Sequence, residues 1–472
     1  MRILLKIGVI NIKNNKLILV YVVLITIFKL IGLNTMLTSS VIMLLLILIE
    51  NKYKSLNTML VLSIFAPSYL ITHGVIIYVL LKSMLSKLVI KKDINFKFYI
   101  TFISLSLISY SISLVNDFSF IPLIIYGFMI FSLYYMYFVF KSDKEDNLKE
   151  FYYLCKLQII PVVAQCIFLL KNGTFYPDCI TGTCDNANTI SIILLIYLIL
   201  IYKDSTISFN KKVYNLIVYG FIIYLSGAKL ISLIFIFIII TINVFVNFEK
   251  KTLLKISITL FVLSLIIVSL PLTTSLLKNV VDENNLNYYI TNDNMNLKFR
   301  AYKYTFNNIN GVNNLIGVGV GRYGSKTANL LAYDTMYKPD DKLMIAKFLK
   351  PKTNEEYRYI ASSFTKSFFE NISNFSGVLS YPQNSIVTIK GEIGYLGLLL
   401  FSLFILFNIR FLYKNMVYKI NYKESYCSII FIVSLAILSF FDNFLEMNNV
   451  MLLFMFILSL AYKFNYGKES IK

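Results

Sequence analysis

Residues 382–401 read PQNSIVTIKGEIGYLGLLLF and run on without a break into SLFILFNIRF (402–411). A polar stretch here becomes an apolar run long enough for a hydrocarbon layer, which takes about 20 helical residues. The same kind of run recurs along the chain. Hydrophobic residues make up 57% of the sequence and charged residues 15%, against about 25% charged in ordinary soluble domains, so a water-soluble globule is excluded. The expected fold is an all-α polytopic integral membrane protein. With no Trp, the 35 Tyr are left to supply the interfacial aromatic belt.

Working outward, candidate spans fall at 16–33, 36–50, 57–70, 72–90, 98–116, 121–140, 152–170, 188–203, 212–227, 229–247, 252–273, 387–412, 425–441 and 448–463. That makes about fourteen; the connections within 16–50 and 57–90 are minimal and the segment around Ala66-Pro67-Ser68 is short and Pro-interrupted, which leaves twelve or thirteen as the alternative. Three regions follow: N-terminal helices over 1–273, one large external loop over 274–386, and C-terminal helices over 387–472. The charged start, MRILLKIGVINIKNNK, has no small-residue cleavage site after it and reads as part of a retained first helix.

Orientation follows from the cations. The net charge is +20, which in a soluble protein would suggest nucleic acid, but in a membrane protein the placement of Lys and Arg is what matters. With fourteen spans, 51–55, 91–97, 141–149, 203–212, 249–255 and 410–419 fall on one face with both termini. The positive-inside rule makes that face cytoplasmic. The opposite face carries loop 171–187, the SGAK turn at 226–229, loop 274–386 and the DNFLEMNN link at 442–449. The large loop holds thirteen Lys and Arg against nine Asp and Glu, a weak pointer to an anionic ligand.

Several residues could carry chemistry. Arg300 is followed by ten residues and then Gly311, and GVGVG (Gly317, Gly319, Gly321) leads into Arg322. Alternating glycines let backbone amides approach a ligand, and guanidinium groups suit a diphosphate. The plainer reading is a Gly-rich turn between surface helices, with Arg300 reaching the lipid headgroups. Lys229 sits at the external end of an apolar helix, where it either serves a site or snorkels; Lys29 reads as snorkelling. Gln383, Asn384, Lys390 and Glu392 cluster where the loop re-enters the membrane. A carboxylate beside GYLGLLLF is costly unless partnered, and reads as a base or as a structural pair with Lys390 or Lys229. His73, the only histidine, reads as a hydrogen-bonded helix residue. Asp117 and Asp185 read as solvated, and Asn186 and Asn188 as a helix N-cap.

Cys155, Cys166 and Cys427 read as buried thiols, while Cys179 and Cys184 share a polar loop and are either bridged or free. A single His leaves no set of zinc ligands. No GxxxxGK[ST] motif occurs, no cytoplasmic loop could house a nucleotide-binding domain, and the loop near 32–35 has no carboxylate of the kind metal-dependent lipid-phosphate-sugar transferases use. No metal or other cofactor is expected.

In order and placement, GTCDNANTIS, SGAK, Arg300 with Gly311, GVGVG and QNSIVTIKGEIGYLGLLLF resemble the bacterial O-antigen polymerase and O-antigen ligase family of membrane glycosyltransferases. The resemblance covers about residues 170–415. Ligases typically carry a functional His where this chain has Gln383, and often Arg where it has Lys229. The spacing of Arg300 to Gly311 is nearer the polymerase branch, although the second copy of that spacing common in polymerases is not found. The resemblance implies a type C-like membrane fold, a place in the cytoplasmic (inner) membrane, and polymerisation of polyprenyl-diphosphate-linked repeats on the outer face of that membrane. It implies Arg300, Lys229 and Glu392 as catalytic residues. Arg322, Gly311, Gly317, Gly319, Gly321, Gln383, Asn384 and Asn188 would contact substrate. A flippase and a chain-length regulator would be partners, and nucleic acid would not. A ligase acting on a lipid or protein acceptor is the alternative within the enzymes, and a polysaccharide flippase the alternative outside them.

Overall fold

The computed structural model describes residues 16–53, 55–86, 92–113, 120–142, 147–174, 179–246, 297–328 and 384–463. Among these residues every long element is a helix, and no strand occurs. In chain order the helices are α1 Lys16–Ile31, α2 Thr35–Tyr53, α3 Leu56–Ser63, α4 Tyr69–Leu85, α5 Ile94–Ser113, α6 Ile121–Ser142, α7 Leu148–Lys171, α8 Ala187–Lys203, α9 Phe209–Leu225, α10 Lys229–Val246, α11 Leu297–Asn308, α12 Val312–Ile316, α13 Ser385–Val417, α14 Tyr422–Leu438 and α15 Asn448–Tyr462. Four of them, α2, α6, α7 and α13, are long and apolar enough to cross a membrane by length and composition, with shorter apolar helices in α4, α8, α10 and α15. The chain is an all-α membrane protein. Each expected span coincides with a helix except 252–273, which lies outside the described residues; α3 by itself is too short to cross.

The shortness of α3 has a local cause. Ser55 caps its start, accepting the Thr58 amide. Ala66-Pro67-Ser68 then ends it, since Pro cannot donate to a continuing helix. Irregular backbone at membrane depth must find partners inside the protein. The Ala66 carbonyl accepts from Asn449 Nδ2 (3.1 Å), and Thr72 Oγ1 donates to Asn449 Oδ1 (3.0 Å).

Polar contacts gather at the two ends of the bundle. At one end Lys82 pairs with Glu50 (2.7 Å), Lys423 with Asp204 (3.2 Å) and Lys141 with Asp93. Behind the Lys141–Asp93 pair runs a buried chain of bonds: Tyr137 OH to Asp93 (2.7 Å), Asn95 Nδ2 to Tyr137 (3.0 Å), Asn408 Nδ2 to Asn95 (3.0 Å) and Tyr462 OH to Asn408 (2.7 Å). Each member is bonded to the next, so α5, α6, α13 and α15 are locked together without an orphaned charge.

At the other end Lys29 turns inward. It does not snorkel: its Nζ donates to Thr181 Oγ1 (2.5 Å) and to the carbonyls of Gly182 (3.0 Å) and Cys184 (2.5 Å). Gln165 Oε1 takes the amides of Thr181 and Gly182, and Gln158 Oε1 takes that of Thr183. The loop 180–184 is thus sewn onto α1 and α7. Cys179 and Cys184 are free thiols. Bonds to a charged donor contribute roughly 1.5–3 kcal/mol, so Lys29→Met should cost about that much stability and sensitise the loop to protease. Unchanged melting temperature and cleavage would return Lys29 to the lipid interface.

Candidate active site

α13 is two helices joined by a break. Asn384 caps the first, its Oδ1 accepting the Val387 amide (2.9 Å), and the regular backbone fails at Gly394 (φ 73°, ψ −162°). A break inside an apolar helix strands carbonyl groups. The GVGVG run supplies the missing donors: Val318 N–H bonds the Gly391 carbonyl (2.8 Å) and Gly319 N–H the Glu392 carbonyl (3.2 Å), while Ser109 Oγ of α5 donates to the same Glu392 carbonyl (2.6 Å). Gly317, Gly319 and Gly321 all have positive φ. Their amides approach closely as expected, but what they approach is the chain's own broken helix.

The turn that follows, Gly321-Arg322-Tyr323-Gly324-Ser325-Lys326, wraps the Glu392 side chain. Three successive amides, of Tyr323 (3.3 Å), Gly324 (3.4 Å) and Ser325 (3.1 Å), donate to Glu392 Oε1. Such a run of amides forms an anion-binding concavity, here filled by a carboxylate of the same chain. Glu392 is 1% exposed. Its second oxygen, Oε2, is buried without a hydrogen-bond partner, and among the described residues Glu392 forms no ion pair. Lys390 does not supply one. Residues two apart on a helix do not face each other, and Lys390 Nζ bonds Asn314 Oδ1 (2.5 Å) and the Asn314 carbonyl (2.9 Å).

Glu392 faces a narrow cavity of about 140 Å³. Its walls are apolar and strongly aromatic: Phe98, Tyr99 and Phe102 of α5, Tyr126, Ile130 and Tyr134 of α6, and Leu400 and Phe404 of α13, closed by α14 and α15. On α13 alone the lining extends from Ser385 to Ile405, about 30 Å at the helical rise, or the thickness of a hydrocarbon layer. Tyr126 precedes a π-helical turn, Gly127–Phe131, and Ile130 lies within it; such a local widening is often found at functional sites. Polar lining gathers at the ends, with Asn95 and Tyr137 at one and Glu392, Asn443 and Glu446 at the other.

Glu446 belongs to this mouth, and the sequence reading passed over it. It ends the 3₁₀ turn Phe444–Glu446 and is 5% exposed. Its Oε2 takes the Lys326 amide (2.5 Å), and Lys326 Nζ donates to its backbone carbonyl (2.5 Å). Burial pushes the Glu446 carboxyl up to about 8, the charge of Glu392 adds to the rise, and Lys326 opposes it. The sequence signal available was a carboxylate set among apolar residues, Phe444, Leu445 and Met447, in the short link DNFLEMNN between two apolar runs, the kind of signal that marked Glu392.

The other expected residues are placed as follows. Arg322 is 3% exposed and lies over the Tyr110 ring at 5.0 Å, a cation–π contact. Arg300 is in α11, which is anchored nearby through Thr305 Oγ1 and Tyr323 OH (2.5 Å) and through Tyr302 OH and the Phe440 carbonyl (3.0 Å); its side chain lies outside the described residues. The same holds for Lys229, which opens α10, and Gln383 lies outside them altogether. Gly311 is exposed at the turn before α12, with open space around it. Asn188 is half-buried in the first turn of α8, and the cap there is Asn186, which accepts the Thr189 amide (2.8 Å).

No family model and no curated protein matches the chain.

Proposed function

We propose that the chain is a membrane glycosyltransferase that polymerises polyprenyl-diphosphate-linked repeat units of a surface polysaccharide, such as an O-antigen or a capsule. The observation that carries this reading is the position of Glu392: a carboxylate with one free oxygen at the mouth of an aromatic crevice as long as a bilayer is thick. A substrate with a long apolar tail and a polar head needs that juxtaposition. In this reading the tail enters the crevice and the head meets the carboxylate.

A hydroxyl of the incoming repeat attacks the anomeric carbon of the growing chain, the bond to the diphosphate oxygen breaks, and Glu392 takes the hydroxyl proton. Arg300, Lys229 and Arg322 would neutralise the departing diphosphate. The chain would cross the cytoplasmic membrane about fourteen times with both termini inside and 274–386 outside. Support for the alternation comes from the polar contacts at the bundle ends, which join only connections that this order puts on the same side. A flippase would deliver the substrate and a chain-length regulator would act on the product.

One observation favours a second reading. Broken helices around buried carboxylates also build the midplane sites of transporters. Incubating purified protein with a lipid-diphosphate-linked repeat separates the two. A ladder of longer glycans is expected, and deletion of the gene should leave surface glycan of single-repeat length. Long polymer retained on the carrier in the deletion strain would indicate a ligase. No ladder, together with protein-dependent movement of the lipid across a vesicle bilayer, would overturn the polymerase reading in favour of transport.

A further inference from the structure

Glu392 and Glu446 hold the same six-residue turn. Glu392 Oε1 takes the amides of residues 323, 324 and 325, and Glu446 Oε2 takes the next one, that of Lys326. Four consecutive N–H groups are thereby divided between two buried carboxyl groups that line one cavity. Among the described residues the cations nearby do not balance two negative charges. Lys326 directs its ammonium to the Glu446 backbone carbonyl, and Asp185 and Asp442 act on it as well. Arg322 stacks on Tyr110 of α5, and Lys390 of α13 bonds Asn314. From α6 the groups that face the pair are phenols, Tyr126 and Tyr134.

Two like charges in such a setting cannot both ionise cheaply. We propose that Glu392 and Glu446 share one proton, with Glu446 keeping it at rest and so leaving Glu392 ionised to accept the proton of the attacking hydroxyl. The chemistry rests on the glycosyl-transfer reading; the pairing does not. In the step, the hydroxyl oxygen bonds the anomeric carbon, the electron pair of the broken bond leaves on the diphosphate, and the proton goes to Glu392 Oε2. Both carboxyls are then protonated, and the pair returns one proton to water as product leaves. Glu446 is a positioning residue, acting through Glu392.

The test uses dicyclohexylcarbodiimide, an apolar reagent that enters the crevice and adds to protonated carboxyl groups, read by peptide mass spectrometry against pH. Wild type should carry one label, at Glu446, lost as pH rises through about 8. Glu392→Gln should lower that midpoint by about one pH unit or more, because the like charge that helps raise it is gone. Glu446→Gln should abolish that label, and Glu446→Asp, which keeps the carboxyl, should restore a label whose midpoint again responds to Glu392→Gln. Two labels with midpoints indifferent to the partner would overturn the pairing. In the chain-extension assay, Glu446→Gln should shift the pH profile of kcat, and an unshifted profile with intact turnover would refute the positioning role alone. Coupled labelling in a protein that extends no chain would leave the pair standing and remove the glycosyl-transfer reading.

Discussion

Glu392→Gln should lower chain extension by about 10²- to 10⁴-fold, the range a positioned general base contributes, with little change in stability. Gln is nearly isosteric, and its amide oxygen can still accept the amides of Tyr323, Gly324 and Ser325 that now meet Oε1. Only the basic oxygen without a hydrogen-bond partner is lost. Glu392→Leu is the contrasting variant. It removes the base and also strands three buried N–H groups, each worth roughly 1–3 kcal/mol when unpaired, so folded protein should fall together with activity. If Glu392 were only a plug for the turn, Gln would turn over like wild type and Leu would fail through instability alone. Turnover per folded molecule, measured for both variants on a lipid-linked repeat, separates the two roles.

What the sequence allowed a reader to see divides along chain distance. The Asn384 and Asn186 caps act within three residues of themselves; Asn186 was read as a cap from its place ahead of an apolar run, whereas Asn384 was read only as part of the cluster at the re-entry and as a substrate contact. Glu392 was legible because a carboxylate in GYLGLLLF has a cost that must be met somewhere. Its partner was not legible, because the amides that meet it come from 67 to 69 residues away. The glycines of GVGVG told the reader that backbone would come close to something. Only the fold identifies that something as Gly391 and Glu392. Lys29 looked like a snorkelling residue because its three acceptors lie more than 150 positions along the chain. Glu446 sat in a short link placed on the external face, and nothing local announces that Lys326, 120 residues earlier, lies across it.

Gly394→Ala and Gly317→Ala should each cost about 3 kcal/mol or more, a large part of the 5–15 kcal/mol that holds a typical protein folded. Both glycines have backbone angles closed to other residues, φ 73° at Gly394 and 84° at Gly317. Added bulk also has nowhere to go. A Cβ on Gly394 would lie 2.3 Å from the Leu315 carbonyl, and one on Gly317 would lie 2.2 Å from that of Glu392. The obstacles are backbone atoms, which cannot rotate aside as a side chain can. Two controls grade the effect. Gly311 (φ 63°, ψ −141°) has nothing within 4 Å, so Ala there should cost backbone strain alone, about 1–3 kcal/mol. Gly220 lies inside α9 with open space around it, and Ala should be neutral or stabilising by about 0.5–1 kcal/mol. Folded yield and melting temperature by size-exclusion chromatography after heating would rank the four variants. Because Gly317 and Gly394 hold the same two segments together, the double variant should lose less than the sum of the singles. If Gly317→Ala and Gly394→Ala proved as stable as Gly220→Ala, the 317–326 segment would not lie against the break, and Glu392 would lose the amides that hold it at the mouth of the crevice.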